Sequence, residues 1–227
     1  MRGLFVTPTA KHRHLVHNRD LGAHDKDKTM FNPQKTIELT TGGLTNPEAT
    51  WQSYLGENPG WQRTAMELTV PLAVVAIVLG WLLSVILGGF FYYGYGHGPI
   101  LSLILGLIGA AISVTVLSLV VNFFAGMFGG ESNFDRAFTG VSLAIIPGWA
   151  GVAVSGIPFI GSLLQLAGTI VGLVFLYKII PLALKVPDNK RVLHFIATII
   201  TVIVVQMIIG LILGAGAMAT GGGMQIQ

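Results

Sequence analysis

The residues of this chain that could perform chemistry fall into two groups. The first is a basic cluster near the N-terminus that consists of Lys11, His12, Arg13 and His14. Imidazoles are common metal ligands. However, these histidines have no helical frame, and no acidic or cysteine ligand is placed with them. We therefore interpret the cluster as a solvated or partner-binding tail rather than as a metal site.

The second group lies inside apolar segments. It consists of three neutral amides, Asn122, Gln165 and Gln206, and of one imidazole near a segment end, His194. Ion-coupled transport and proton relays in membranes usually need an ionisable residue at the midplane, and the sequence places no acidic residue there. We expect the amides to form intramembrane hydrogen bonds between helices. A pore that this chain forms together with partner chains remains an alternative.

Patterns that mark enzymes and cofactor sites are missing. The chain has no cysteine, which excludes disulfides, thiolate zinc sites and cysteine nucleophiles. It has no Walker-type phosphate loop and no Gly-x-Gly-x-x-Gly after a strand, and no spacing suggests a Ser, His and Asp set. The basic tail also carries aspartates, so nucleic-acid binding is not expected. We predict no catalytic residue, no cofactor and no metal.

The composition indicates that lipid, rather than water, surrounds the apolar segments that contain these residues. Of 227 residues, 52% are hydrophobic and 10% are charged, and the mean hydropathy is +0.72, which is typical of a polytopic membrane protein. The 41 residues from Ala137 to Tyr177 carry no formal charge and are interrupted by Gly156-Ile157-Pro158. Because a bilayer core needs about 20 helical residues, this stretch predicts two antiparallel spans joined by a minimal turn.

The same reasoning along the chain predicts an all-α, polytopic transmembrane helical bundle with five spans. The predicted spans are about residues 68–89, 100–128, 137–155, 158–180 and 192–217, within a bundle of residues 63–217. Residues 1–45 predict an extended polar tail, disordered unless a partner binds it. Residues 218–227 form a Gly-rich C-terminal tail.

A short interfacial amphipathic helix is predicted over residues 46–62, where Asn46-Pro47 provides a cap and a first-turn proline. Its residues Trp51, Tyr54 and Leu55 share one face. Two compatible roles follow for this face: contact with lipid headgroups, or packing on the underside of the bundle.

The basic residues next to the spans predict the orientation. With a cytoplasmic N-terminus, all six fall on the inner side and the C-terminus lies on the opposite side: Arg63, Arg136, Lys178, Lys185, Lys190 and Arg191. The last four could also contact anionic lipid headgroups, each contributing about 1 kcal/mol. We expect topogenic charge to be their main role.

Small residues recur at four-residue spacing, which lets helix backbones approach closely in lipid. The pairs are Gly168 with Gly172, Gly210 with Gly214, and Ser84 with Gly88. We predict helix packing inside one bundle at these positions, with self-association through one of these faces as the alternative.

Four short motifs follow one another in a recognisable order. They are Pro47-x-x-x-Trp51, Gly129-Gly130-x-x-Asn133-Phe134-x-x-Ala137-Phe138, Ile157-Pro158-x-x-Gly161 and Lys185-x-Pro187-x-x-Lys190. Over about residues 44–213 this order resembles the Ypt-interacting-protein (YIP) family in its bacterial form. The resemblance implies a non-enzymatic, integral helical bundle with a cytoplasmic N-terminus, placed in a bacterial inner membrane.

Eukaryotic members of that family are linked to Rab-type GTPases. Their Asp-Leu-Tyr-Gly-Pro box is absent from this sequence, and the run Tyr92–Gly96 lies on the wrong side of the membrane to replace it. The resemblance therefore gives little support for a GTPase partner.

Two functions remain as expectations. The first is a membrane scaffold or accessory subunit that binds membrane lipids and other membrane protein subunits. The alternative is a passage protein for lipids or small solutes, built around the third span, which Pro147-Gly148 should kink.

Overall fold

The structure is a computed structural model that describes residues 31–87 and 99–221, with side chains over 31–87 and 100–211. In this part of the chain every regular element is a helix, as the sequence predicted. The helices are α1 Pro33–Thr45, α2 Pro47–Gly56, α3 Trp61–Ile86, α4 Pro99–Met127, α5 Phe134–Ala144, α6 Ile146–Val154, α7 Ile160–Leu184 and α8 Asp188–Gly221. The predicted tail cluster at residues 11–14 lies outside the described residues.

Four of these helices are long and apolar enough to cross a membrane, namely α3, α4, α7 and α8. The pair α5 and α6 passes the same test together but is bent by 44°, so the number rises to five if that pair is one span. The bend falls at Ile145, directly before the first turn of α6, which contains Pro147. Proline removes a backbone donor and disrupts the preceding turn, so the kink predicted at Pro147-Gly148 is confirmed.

The bent pair runs antiparallel to α7 along its length. At one end, Arg136 Nε donates to the carbonyl oxygen of Ala183 at 2.6 Å. At the other end, a Cβ on Gly161 would lie 2.5 Å from the Ser155 carbonyl oxygen. The turn between α6 and α7 therefore lies at the opposite end of the bundle from Arg136.

The first spanning helix begins earlier than predicted. The sequence placed its start near Leu68, whereas α3 begins at Trp61 and contains a π-helical turn at Ala65–Thr69. Arg63 and Glu67 both lie within this helix, where they form an ion pair at i, i+4 with an Nε–Oε1 distance of 2.9 Å.

The N-terminal region is more ordered than the sequence suggested. The prediction of an unstructured tail up to residue 45 is corrected by α1, whose first turn is capped by Asn32: its Oδ1 accepts the Lys35 N–H at 3.2 Å. The predicted helix after Asn46 is present, but the Asn46 side chain makes no capping hydrogen bond. Its backbone N–H instead donates to the Gly42 carbonyl, which links α1 to α2.

The α1–α2 hairpin packs on the bundle through aromatic and aliphatic side chains. Leu39, Trp51, Tyr54 and Leu55 are buried, and the Trp51 and Phe175 rings meet edge to face with centroids 5.0 Å apart. Packing on the bundle, one of the two predicted roles of the Trp51 face, is therefore the one the structure shows. The other predicted role, contact of that face with lipid headgroups, is wrong, because these side chains are covered by protein.

The charged residues of the described chain gather at one end of the bundle, which we call the charged end. It consists of the α1–α2 hairpin, the first turns of α3, α5 and α8, the last turns of α4 and α7, and the adjoining loops. At its centre lies α5, in which every residue from Ala137 to Ala144 is buried. The charged end is thus a folded layer built around α5.

Candidate interaction site at the charged end

A polar network centred on Glu67 organises the charged end. Glu67 lies in the π-helical turn of α3 and is only 8% exposed. Its Oε1 accepts from Arg63 Nε at 2.9 Å, and its Oε2 accepts from the Tyr54 hydroxyl at 3.0 Å. Both oxygens are engaged, so this carboxylate is suited to hold α2 and α3 together rather than to transfer a proton.

The network continues to α1. The Arg63 guanidinium also donates to Glu57 Oε2 at 2.7 Å, and Lys35 Nζ donates to the other oxygen of Glu57 at 3.1 Å. The Thr36 hydroxyl donates to the Glu67 carbonyl oxygen at 2.6 Å. Because a π-helical turn shifts the backbone hydrogen bonds of a helix, a carbonyl there can accept from a neighbouring element. Three helices are joined in this way.

Two pKa values reflect these surroundings. Burial raises the pKa of the Tyr54 hydroxyl well above its usual range; the Thr64 hydroxyl opposes this rise and the charge of Glu67 adds to it. For Lys35, partial burial acts to lower the pKa, but the hydrogen bond and charge of Glu57 outweigh it, so the pKa is raised. Tyr54 is thus held neutral and Lys35 is held charged.

Hydroxyl pairs extend the polar contacts under this network, between α3 and α5. The Thr64 and Thr139 hydroxyl oxygens are 2.9 Å apart, and the Thr69 hydroxyl donates to Ser142 Oγ at 2.8 Å. All four side chains are buried. They fix the register of α3 against α5 without adding charge.

The three amides predicted from the sequence lie in different places. Gln206 Nε2 donates to Ser113 Oγ at 2.9 Å and joins α8 to α4, which is the kind of contact we expected. Asn122 instead accepts from Ser132 Oγ at 3.3 Å in the loop that follows its own helix. Gln165 lines a cavity of about 190 Å³ between α3, α4, α6 and α7.

Gln206 lines a separate cavity of about 270 Å³ between α4, α6, α7 and α8. Val152 borders both cavities. The lining of the larger cavity is mainly apolar, whereas Ser84, Ser102 and Ser155 line the smaller cavity together with Gln165. In the part of the chain that the structure describes, the amides therefore do not form one continuous polar groove.

The four basic residues proposed for headgroup contact divide into two kinds. Lys178 pairs with Glu48 at 2.9 Å and Lys185 pairs with Glu131 at 2.6 Å, both at exposed positions. The other two are Lys190 and Arg191. The Arg191 guanidinium lies 4.0 Å above the Tyr177 ring and donates to its carbonyl oxygen, whereas the exposed Lys190 side chain has no hydrogen bond or ion pair within the described ranges.

The predicted packing glycines also differ from one another. A Cβ on Gly168 would fall on the Pro147 carbonyl oxygen, and one on Gly172 would lie 3.4 Å from the Ala144 carbonyl oxygen. Gly210 has open space around the same position. Gly214 lies in the last part of α8, where the backbone alone is described, and Gly88 lies outside the described residues.

Sequence reasoning missed a close backbone contact that joins α3 to the end of α6. A Cβ on Gly80 would fall on the Val152 carbonyl oxygen, and one on Gly156 would fall on the Gly80 carbonyl oxygen. These glycines belong to different helices, so no spacing within one helix reveals them.

His194, noted in the sequence as near a span end, is fully buried between α8 and α4. Its Nε2 is 3.1 Å from the Val121 carbonyl oxygen, and its Nδ1 has no hydrogen-bond partner. Among residues 31–87 and 99–221 no three His, Asp or Glu side chains form a possible metal site.

An apolar helical bundle with its charge collected at one end defines an integral, multi-pass membrane protein. Residues 42–214 match the family model of the Yip1 domain, which is 173 of 227 residues, and the chain therefore belongs to the Yip1 family. The resemblance noted over about residues 44–213 is confirmed in its family and closely in its extent. No match was found among curated proteins or among solved structures.

Proposed function

We propose that this chain is a non-enzymatic scaffold or accessory subunit that associates with another membrane protein in a bacterial inner membrane. The Yip1 family consists in general of membrane proteins without enzymatic activity. The charged end supports the proposal because its polar network is used to fix helices to one another. We do not expect the partner to be a GTPase, because the sequence lacks the Asp-Leu-Tyr-Gly-Pro box of the eukaryotic members.

We further propose five spans with a cytoplasmic N-terminus. The support is that α5 and α6 together run antiparallel to α7 from Arg136 to Gly161, instead of returning to the charged end. Basic residues next to the spans collect on the cytoplasmic side of membrane proteins, and those of this chain lie at the charged end. The C-terminus then lies on the opposite side.

The observation that carries the scaffold proposal is an exposed apolar stripe on α1. Leu39 of this helix is buried, whereas Ile37 is 66% exposed and Leu44, seven residues later on the same face, is 46% exposed. Phe31, which directly precedes the cap residue of α1, is 53% exposed. The Lys35–Glu57 ion pair and the hydrogen bond from the Thr36 hydroxyl to the Glu67 carbonyl hold α1 in place, so the stripe is a preorganised surface. Exposed apolar patches of this kind mark sites of protein or membrane contact.

The test uses the full-length chain, extracted from its native membrane in mild detergent and analysed by native mass spectrometry. We expect a stoichiometric complex with the native chain and its loss in the Ile37→Ser/Leu44→Ser variant. Gln52→Ala/Ser53→Ala, on the exposed face of the neighbouring α2, is the matched control and should retain the complex. A native chain that is monomeric without a partner, or a serine variant that keeps it, contradicts the proposal.

A passage for lipids is the second candidate. It is favoured by the mainly apolar cavity of about 270 Å³, which opens between four helices, whereas polar solutes would need the continuous groove that the amides do not form. Reconstitution of the purified chain in liposomes with a fluorescent lipid in one leaflet tests this function. Accelerated transfer of the lipid between leaflets would support it and weigh against a purely structural role.

A further inference from the structure

A third crevice lies between α3 and α4 and has a volume of about 420 Å³. Its walls include Val70 from α3 and Ala111 and Thr115 from α4, and α5 contributes Phe138 to its floor. Helix α4 packs against the Val70–Ile86 part of α3, and the crevice adjoins this contact on the side of the charged end. Its volume lies within the range of about 300–1,000 Å³ found for small-molecule sites, and its apolar walls suit a hydrocarbon chain.

The end of the crevice nearest the charged residues is lined by aromatic rings. The Trp61 ring centroid lies 6.4 Å from that of Phe134 and 6.3 Å from that of Phe138, in edge-to-face arrangements. Trp61 is 42% exposed. Tryptophan favours the headgroup level of a bilayer, and the faces of aromatic rings attract cations. The crevice therefore has apolar walls and an aromatic mouth, formed by Trp61, Phe134 and Phe138.

Beside this mouth lies the Asp135 carboxylate, which forms no ion pair within the described residues. Asp135 Oδ1 accepts the backbone N–H of Trp61 at 3.0 Å, and Asp135 lies in the first turn of α5, where the helix dipole favours its charge. Its neighbour Arg136 donates away from it, to the carbonyl oxygens of Leu182 and Ala183. The described glutamates each take part in an ion pair, whereas Asp135 and Asp188 do not.

We propose that this crevice binds a zwitterionic phospholipid, with its ammonium group at Asp135 beside Trp61 and an acyl chain between α3 and α4. An anionic lipid would meet the negative charge of Asp135 at the mouth, and none of the described residues that line the crevice is basic. This site is separate from the predicted headgroup contacts at Lys178, Lys185, Lys190 and Arg191, and it does not depend on the scaffold role.

The test offers the purified full-length chain equal amounts of ethanolamine and glycerol phospholipids with identical acyl chains, and counts retained lipids by native mass spectrometry. We expect preferential retention of the ethanolamine lipid. Asp135→Asn keeps the acceptor for Trp61 but removes the charge, and should lower the preference about two- to fivefold, the contribution of an exposed ion pair. Asp188→Asn, at the other aspartate of the described residues that forms no ion pair, is the matched control and should behave as the native chain.

A second variant tests the location. Ala111→Phe fills the crevice from α4 and should reduce retention of both lipids, with an unchanged elution volume in gel filtration as the folding control. Retention of a choline phospholipid at the level of the ethanolamine lipid also supports the proposal, because both carry the cation. Equal retention of ethanolamine and glycerol lipids by the native chain overturns it, as does Asp135→Asn behaving like Asp188→Asn, or an Ala111→Phe variant that retains lipid normally.

Discussion

The Tyr54 hydroxyl donates a 3.0 Å hydrogen bond to Oε2 of Glu67, and this buried contact joins α2 to the π-helical turn of α3. The same carboxylate binds Arg63 through its other oxygen. Hydrogen bonds to charged groups are stronger than those between neutral groups, and a buried charge is costly when its partner is removed. The position of the hairpin on the bundle therefore depends strongly on one carboxylate.

Removing that carboxylate should destabilise the charged end. We expect Glu67→Ala to lower the free energy of unfolding by about 1.5–3 kcal/mol, the range for a hydrogen bond to a charged group, since Arg63 keeps its ion pair with Glu57. Tyr54→Phe should lower it by about 1–3 kcal/mol. Chemical unfolding in detergent, followed by tryptophan fluorescence, measures both losses. In the double variant the two losses should not add, since the residues share one contact; strict additivity would contradict the coupling described for this pair.

The raised pKa of Tyr54 also predicts that the folded chain loses stability at alkaline pH. Burial raises its pKa in the folded chain above the unfolded value near 10. The neutral hydroxyl is thus favoured by folding, so its contribution is fully present below about pH 10 and declines as the pH rises from there toward the folded-state pKa. We expect the denaturation midpoint to fall above pH 10 in the native chain and to fall less in Tyr54→Phe. Equal pH dependence of both chains would show that Tyr54 does not titrate in this way.

Glycines that look equivalent in the sequence should differ in how much their substitution by alanine lowers stability. Gly168→Ala places a methyl group on the Pro147 carbonyl oxygen and should cost about 1–3 kcal/mol through overpacking. Gly210→Ala adds a methyl group where the structure leaves open space and should change stability by less than about 0.5 kcal/mol. Thermal unfolding in the same detergent compares the two variants. A loss in Gly210→Ala as large as that in Gly168→Ala would instead point to self-association through α8.

The sequence predicted those parts of the fold that are determined by the lipid surroundings of the chain. Long apolar runs require helices across a bilayer, so α4, α7 and α8 could be located without knowledge of tertiary contacts. The kink at Pro147 followed from the missing donor of proline. In contrast, α1 has no long apolar run, and it is held by its cap at Asn32 and by contacts with residues that lie 22 or more positions further along the chain, namely Glu57 and Glu67.

The candidate site was less accessible to sequence reasoning for a related reason. Lys35, Glu57 and Arg63 read as ordinary polar residues before the first span, and only the folding back of α1 and α2 brings them together around Glu67. The spacing of Arg63 and Glu67 at i, i+4 was the one local signal. The contact of Gly80 with Gly156 left no local signal, since it joins two helices about 75 residues apart in the chain.

The hydrogen bond between Gln206 and Ser113 is the intramembrane contact whose strength can be measured most directly. It joins α8 to α4 at 2.9 Å, and such bonds contribute about 0.6 kcal/mol on average in membranes, rarely more than about 2. We expect Gln206→Leu and Ser113→Ala each to produce a loss of this order, and a double-mutant cycle in detergent unfolding to give a coupling in that range. Asn122→Leu is the control, because the Asn122 side chain accepts its hydrogen bond from Ser132, in the loop that follows its own helix, rather than from another spanning helix. The absence of coupling would mean that the amide finds other partners.

The orientation of the turn between α6 and α7 decides between four spans and five. Because the native chain has no cysteine, single cysteines can report its sidedness with an impermeant maleimide. Phe159 is 91% exposed in this turn, and Ser53 lies exposed on α2 at the charged end. We expect Phe159→Cys to be labelled from outside intact cells, and Ser53→Cys only after permeabilisation, since α5 and α6 together carry the chain across while the basic charged end stays inside. If both cysteines are labelled only after permeabilisation, α5 and α6 form a re-entrant segment and five spans are wrong.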